Sequence, residues 1–162
     1  MLIAINTILI SALLLVIIQD VKYRAIHVLL PIVLFAAAIT RYFILGYSAN
    51  ELLMTALFLI LVLTGLFLYV TVKNKKIINP IDSSIGLGDI VYFVAIIPLF
   101  FSTTYIAFFS TGMLFAIVCH FLFNKNEEGH IPLAGYLSIY LVILLAINFL
   151  IEKELFYTHF II

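Results

Sequence analysis

Ile85-Gly86-Leu87-Gly88-Asp89 stands at the mouth of an apolar run, residues 90–101, and sets a carboxylate where a membrane helix begins. Only 10% of the residues are charged, and burying an unpaired carboxylate in hydrocarbon costs several kcal/mol or more. An acid in that position needs a reason, and function is the leading one. Glycines at 86 and 88 allow backbone conformations closed to other residues and leave no Cβ, so another segment or a substrate peptide can approach Asp89 closely. Gly-x-Gly-Asp alone is short enough to recur by chance in many loops. Its weight comes from its position and from a second acid, Asp20, which also sits where an apolar run ends.

The composition around these acids is that of a membrane protein. With 66% hydrophobic side chains and a mean hydropathy of +1.32, the chain lies far from the roughly 45–50% apolar mix of soluble domains. Residues 1–162 form a single domain, since no polar stretch is long enough to enclose a core of its own. A formal net charge of zero points to neither nucleic acid nor an acidic surface as partner. One cysteine, Cys119, allows no internal disulfide and no cysteine-based zinc site. No Lys or Arg precedes the first apolar run and no small-x-small site follows it, so the run reads as a retained helix and not as a secretory signal.

Apolar runs of roughly 18 residues or more mark spanning helices. Six qualify: residues 2–19, 28–45, 52–72, 84–101, 103–123 and 132–151. The predicted fold is therefore an all-α bundle of six transmembrane helices. The fourth is the weakest, because Pro98 should kink or end it and the part from Ile90 onward is only about 18 Å long. To cross the hydrocarbon it should begin near Ser83 or Ser84, as N-caps, which sinks Asp89 below the surface. Lys22, Arg24, Lys73, Lys75, Lys76 and Lys125 fall in the loops after spans one, three and five, against Arg41 and Lys153 on the opposite side. That asymmetry predicts cytoplasmic odd loops and external termini. Asp20 and Asp89 then share the cytoplasmic face, with the loop 125–131.

Taken singly, each acid has an ordinary explanation. Asp20 could be an interfacial acid neutralised by Lys22 or Arg24, and Asp89 a first-turn acid favoured by the helix dipole. The sharper reading puts both in one cytoplasmic cleft. Two carboxylates a few ångströms apart cannot both ionise near neutral pH, so one keeps a proton while the other stays charged. Such a pair can polarise water and protonate a leaving amide nitrogen, which is aspartic-protease chemistry.

Three motifs in order carry a family resemblance: Asp20 with Lys22, Arg24 and Ile26 at the end of helix one, Gly86-Leu87-Gly88-Asp89 opening helix four, and Ile131-Pro132-Leu133-Ala134-Gly135-Tyr136-Leu137 opening the last helix. The chain resembles the prepilin peptidases, membrane aspartyl proteases of the Gly-x-Gly-Asp class. The resemblance spans nearly the whole chain. It implies Asp20 and Asp89 as catalytic acids, Gly86 and Gly88 as motif glycines, Pro132 and Gly135 as a last-loop motif, and Lys22 and Arg24 as substrate-binding or structural positions. It implies no cofactor, a prepilin or pilin-like protein as substrate, cut after a short basic leader, and a prokaryotic cytoplasmic membrane as location. His27 and Val28 stand where bacterial members usually have Pro-Asn, and Val91 where they usually have Lys. The cysteine-paired insertion of the larger, N-methylating bacterial enzymes is absent, which leaves a peptidase-only form.

The remaining polar residues point elsewhere. Asp82 lacks preceding glycines, and His27, His120, His130 and His159 lack the His-Glu-x-x-His spacing of a zinc protease. Ser110 is not in Gly-x-Ser-x-Gly and reads as helix packing, as do Thr64-Gly65 and Thr111-Gly112. The tail after Glu152 carries aromatic residues suited to a membrane interface. Two rivals remain. One is a catalytically silent transporter or assembly factor that uses Asp20 and Asp89 to bind a cation, which should show broken helices with polar midplane residues. The other is the presenilin-related class, whose members are longer and have Tyr before the first acid, where this chain has Gln19.

Overall fold

In hydrocarbon every backbone N–H and C=O must find its partner inside its own segment, so long apolar runs fold as helices. A computed structural model, which describes residues 1–75, 85–123, 131–151 and 156, contains six: α1 (Leu2–Tyr23), α2 (Leu29–Ile44), α3 (Ala49–Asn74), α4 (Leu87–Ile96), α5 (Ser102–Phe123) and α6 (Leu133–Ile151). No strand occurs among the described residues. Three helices, Leu2–Tyr23, Ala49–Asn74 and Ser102–Leu122, are long and apolar enough to cross a membrane. The other three are apolar but shorter.

The helix ends differ from the expected boundaries in ways that matter for the site. Helix α1 runs past Gln19 to Tyr23, so Asp20 lies inside its last turn. It stops at Arg24, which takes the left-handed conformation (φ 54°) and donates its N–H to the Asp20 carbonyl at 3.0 Å. Helix α4 begins at Leu87 and ends at Ile96, where Pro98 turns the chain into a short 3-10 segment, Ile97–Leu99. The expected caps at Ser83 and Ser84 lie outside the described residues.

Helix α4, cut short by Pro98, is packed largely inside the bundle. Tyr92, Phe93, Ala95, Ile96, Ile97 and Leu99 are all buried, and α2 and α6 pack along it. A broken helix is tolerated at membrane depth when protein and not lipid surrounds it. Around it, α1 packs most closely on α6 and α2, and α5 on α6 and α3. Leu9, Leu13, Val16, Leu34, Leu137 and Leu141 fill the seams. Helix α3 is the outlier: only 17% of its apolar window is buried, which leaves Leu57, Ile60, Leu61 and Leu68 facing outward. Apolar surface on that scale suits lipid and not water.

The small-residue pairs divide. A Cβ at Gly112 would stand 2.7 Å from Leu137 Cδ2, so α5 and α6 do meet through it. Gly65 has nothing within 4 Å of that position, and the Thr64 hydroxyl bonds the Ile60 carbonyl of its own helix. Among the described residues the pair Thr64-Gly65 therefore makes no close helix contact, contrary to expectation. Ser110 likewise bonds the Ile106 carbonyl. Phe156, expected with the tail's other aromatics at an interface, is instead buried against Phe100, with ring centroids 5.0 Å apart. Its carbonyl accepts from the Phe101 N–H and the Thr104 hydroxyl.

Candidate active site

A helix begins with amides that have no partner in their own helix. At the start of α6 each of the first three is accounted for. The Leu133 N–H turns back to the Ile131 carbonyl at 2.8 Å. The Ala134 N–H donates to Asp89 Oδ1 at 3.1 Å, and the Gly135 N–H donates to Asp20 Oδ2 at 2.6 Å. Two acids separated by 69 positions thus supply, from α1 and α4, the capping oxygens that a single Ser or Asp would ordinarily provide. Pro132, just ahead of the first helical residue, has no N–H to satisfy and is buried.

This shared cap fixes the distance between the carboxylates. Successive helical amide nitrogens lie about 3 Å apart, so the two acceptor oxygens are within about 9 Å of each other. Asp20 is buried at 6% exposure while Asp89 is half-buried. Both line one cavity of about 450 Å³, together with residues 24–26 after α1, 85–88 across the start of α4 and 131–133 across the start of α6. The ends of α1, α4 and α6 therefore meet at one end of the bundle.

The glycines act through missing side chains. Gly86 has an ordinary extended conformation (φ −69°, ψ 142°), and neither Gly86 nor Gly88 has positive φ. The backbone freedom expected of the motif is not used. A Cβ at Gly86 would lie 3.1 Å from Asp89 Oδ2, so its absence makes room for the carboxylate to fold over its own helix start. Gly88 faces Ile26 at 3.7 Å, an ordinary contact. Gly135 is the most crowded of the three: a Cβ there would meet Val21 Cγ2 at 3.1 Å, Asp20 Oδ2 at 3.2 Å and Asp20 Cβ at 3.3 Å.

Of the basic positions, Arg24 lines the cavity, whereas Lys22 is exposed with its ammonium 5.2 Å from the Tyr23 ring centroid. His27 holds the turn between α1 and α2: its N–H donates to Gln19 Oε1 at 2.9 Å and its Nδ1 accepts from the Leu29 N–H at 3.3 Å. A second, shallower apolar groove of about 480 Å³ runs beside the cavity along Gln19, Tyr23, His27 and Val28, and shares Ala25 and Ile26 with it. Asp82, His130 and His159 lie outside the described residues. Among the described residues no group of three or more His, Cys, Asp or Glu is placed to hold a metal ion.

Two residues near the acids stand out only in the structure. Tyr92 is one turn into α4 from Asp89, and Ser138 one turn into α6 from Gly135; both are fully buried. The usable signal was register, a hydroxyl three residues beyond each motif on the same helical face. No family model matches the chain, nor does any curated protein or solved structure.

Proposed function

We propose that this protein is a membrane aspartic endopeptidase of the prepilin-processing type, with six spans, external termini and its cavity open to the cytoplasm of a prokaryotic cell. The observation that carries the reading is the shared cavity, lined by two carboxylates that successive amides of one helix hold within about 9 Å. A purely structural cap for α6 needs one acid and no cavity.

In the proposed reaction Asp20 and Asp89 hold one proton between them. The charged carboxylate takes a proton from water as the oxygen attacks the scissile carbonyl carbon. The protonated acid hydrogen-bonds the carbonyl oxygen as it becomes a tetrahedral alkoxide. Collapse of that intermediate breaks the C–N bond, and the leaving nitrogen takes a proton from the dyad. The chemistry requires no cofactor. The half-buried Asp89 faces the incoming peptide, while the apolar groove beside Ile26 suits the first apolar residues of a pilin-like helix. Pro132 lines the last wall, Gly86 and Gly88 the rim and Arg24 the mouth, while Gly135 holds Asp20 from behind. Lys22 is exposed outside the cavity lining and serves the membrane boundary.

The test is direct. Purified protein in liposomes is incubated with a pilin-like precursor, and the product is mapped by mass spectrometry. A single cut just ahead of the hydrophobic helix is expected. Intact precursor under conditions where the protein is folded would leave the reading without support, and cation-flux assays would then address the silent-transporter alternative.

A further inference from the structure

The core of this chain is built mostly from aliphatic side chains and Phe, which bury no polar atom, yet it also holds Tyr42, Tyr92, Tyr105 and Tyr136. Leaving a buried hydroxyl without a partner costs about 1–3 kcal/mol. Tyr105 avoids that cost by donating its hydroxyl to the Phe93 carbonyl at 3.1 Å. Tyr92 does not: it is 0% exposed, and its hydroxyl completes no hydrogen bond with any described residue. Ser138, also 0% exposed, is in the same state. The two hydroxyls stand near each other and near Asp20, outside hydrogen-bonding geometry with either, in the layer beneath the bond from the Gly135 amide to Asp20.

Register explains the meeting. Tyr92 follows Asp89 by three residues on α4, and Ser138 follows Gly135 by three on α6, so each lies one turn deeper than a partner of the shared cap. Val16, one turn before Asp20 on α1, closes the same layer and is fully buried. Beneath the acids there is thus one polar spot in an apolar floor, and its two hydroxyls have donors to give. A buried donor pair of this kind is satisfied either by a carboxylate or by one ordered water bonded to it.

We propose that Tyr92 is a positioning residue for Asp20: its hydroxyl, seated beside Ser138, holds the Asp20 carboxyl from beneath over one buried water, opposite the Gly135 amide. Held from two sides, Asp20 turns a fixed edge toward Asp89 and the cavity. The role in catalysis rests on the peptidase reading; the contact with Asp20 does not.

The experiment therefore reads both. In the full-length protein the Asp20 carboxyl stretching band is assigned by infrared difference spectroscopy from its loss in Asp20→Asn. Tyr92→Phe, which removes one oxygen and no volume, is expected to move that band and to lower kcat for precursor cleavage roughly 5- to 10-fold with KM unchanged, the loss of one positioning hydrogen bond. Ser138→Ala moves the band the same way by less, and it decides the matter if Tyr92→Phe fails to insert. An unmoved Asp20 band in the folded variants overturns the proposal whatever the rates do. A moved band in a protein that cuts no precursor supports the contact and refutes the peptidase reading instead.

Discussion

Replacing Gly135 by Ala adds one methyl group at the point where α6 touches α1. The new Cβ would stand 3.1 Å from Val21 Cγ2, 3.2 Å from Asp20 Oδ2 and 3.3 Å from Asp20 Cβ. All three atoms belong to the last turn of α1, so no single side chain can swing aside to relieve them. The helices must separate by a few tenths of an ångström, and the contact that stretches first is the 2.6 Å hydrogen bond from the Gly135 amide to Asp20. A hydrogen bond to a charged group contributes about 1.5–3 kcal/mol, and overpacking a close seam costs about 1–3 kcal/mol. If the first loss falls on the positioning of Asp20, cleavage slows roughly 10- to 150-fold. The assay is kcat/KM on a pilin-like precursor, read beside the melting temperature in detergent. Gly88→Ala is the matched control for the melting temperature, because the nearest atom to its Cβ would be Ile26 Cδ1 at 3.7 Å, an ordinary contact. A Gly135→Ala protein that melts and cleaves like the wild type would refute the reasoning that the shared cap holds the acids in place.

Three further outcomes follow from the same geometry and sequence. Gly65→Ala should leave cleavage unchanged and hold or raise the melting temperature, because nothing lies within 4 Å of the added methyl and Ala is the better helix former by about 1 kcal/mol; a lower melting temperature would show a helix partner at that face. Reporters fused after Lys76 and Lys125 should read cytoplasmic and one after Gly46 external, as the Lys and Arg asymmetry requires, and an external reading at Lys76 would remove the cavity from its proposed substrate. Cleavage should proceed without methyl transfer and survive a zinc chelator, and a methylated product made by this chain alone would contradict the peptidase-only reading.

The two acids were legible because charge is scarce in this chain, so Asp20 at the end of one apolar run and Asp89 at the start of another stand out. Their meeting was legible only as a shared face. The object that joins them, the amides of Ala134 and Gly135, is backbone, and backbone has no letter in a sequence. Pro132 and Gly135 were singled out through a resemblance, and their physical roles emerged from the start of α6. Hydropathy over-lengthened the fourth helix because it reads burial in protein and burial in lipid alike: α4 is apolar as the core of the bundle. The same blindness made Gly65 and Gly112 look equivalent, although only Gly112 faces another helix. Tyr92 and Ser138 are silent in the sequence because single hydroxyls in apolar runs are common, and only their place one turn beneath the shared cap distinguishes them.

The central claim is that Asp20 and Asp89 are a chemical pair and more than the cap of α6. Asn separates the two roles, because it caps a helix about as well as Asp does but cannot exchange the proton that water activation needs. Precursor cleavage is therefore measured for Asp20→Asn, Asp89→Asn and the double variant, with Asp82→Asn as control and membrane insertion checked for each. Groups acting as a unit give non-additive losses, so each single variant should insert normally and accumulate uncut precursor as fully as the double, while Asp82→Asn cuts. A single variant that still cuts near the wild-type rate would leave the acids as helix caps and the dyad without a basis.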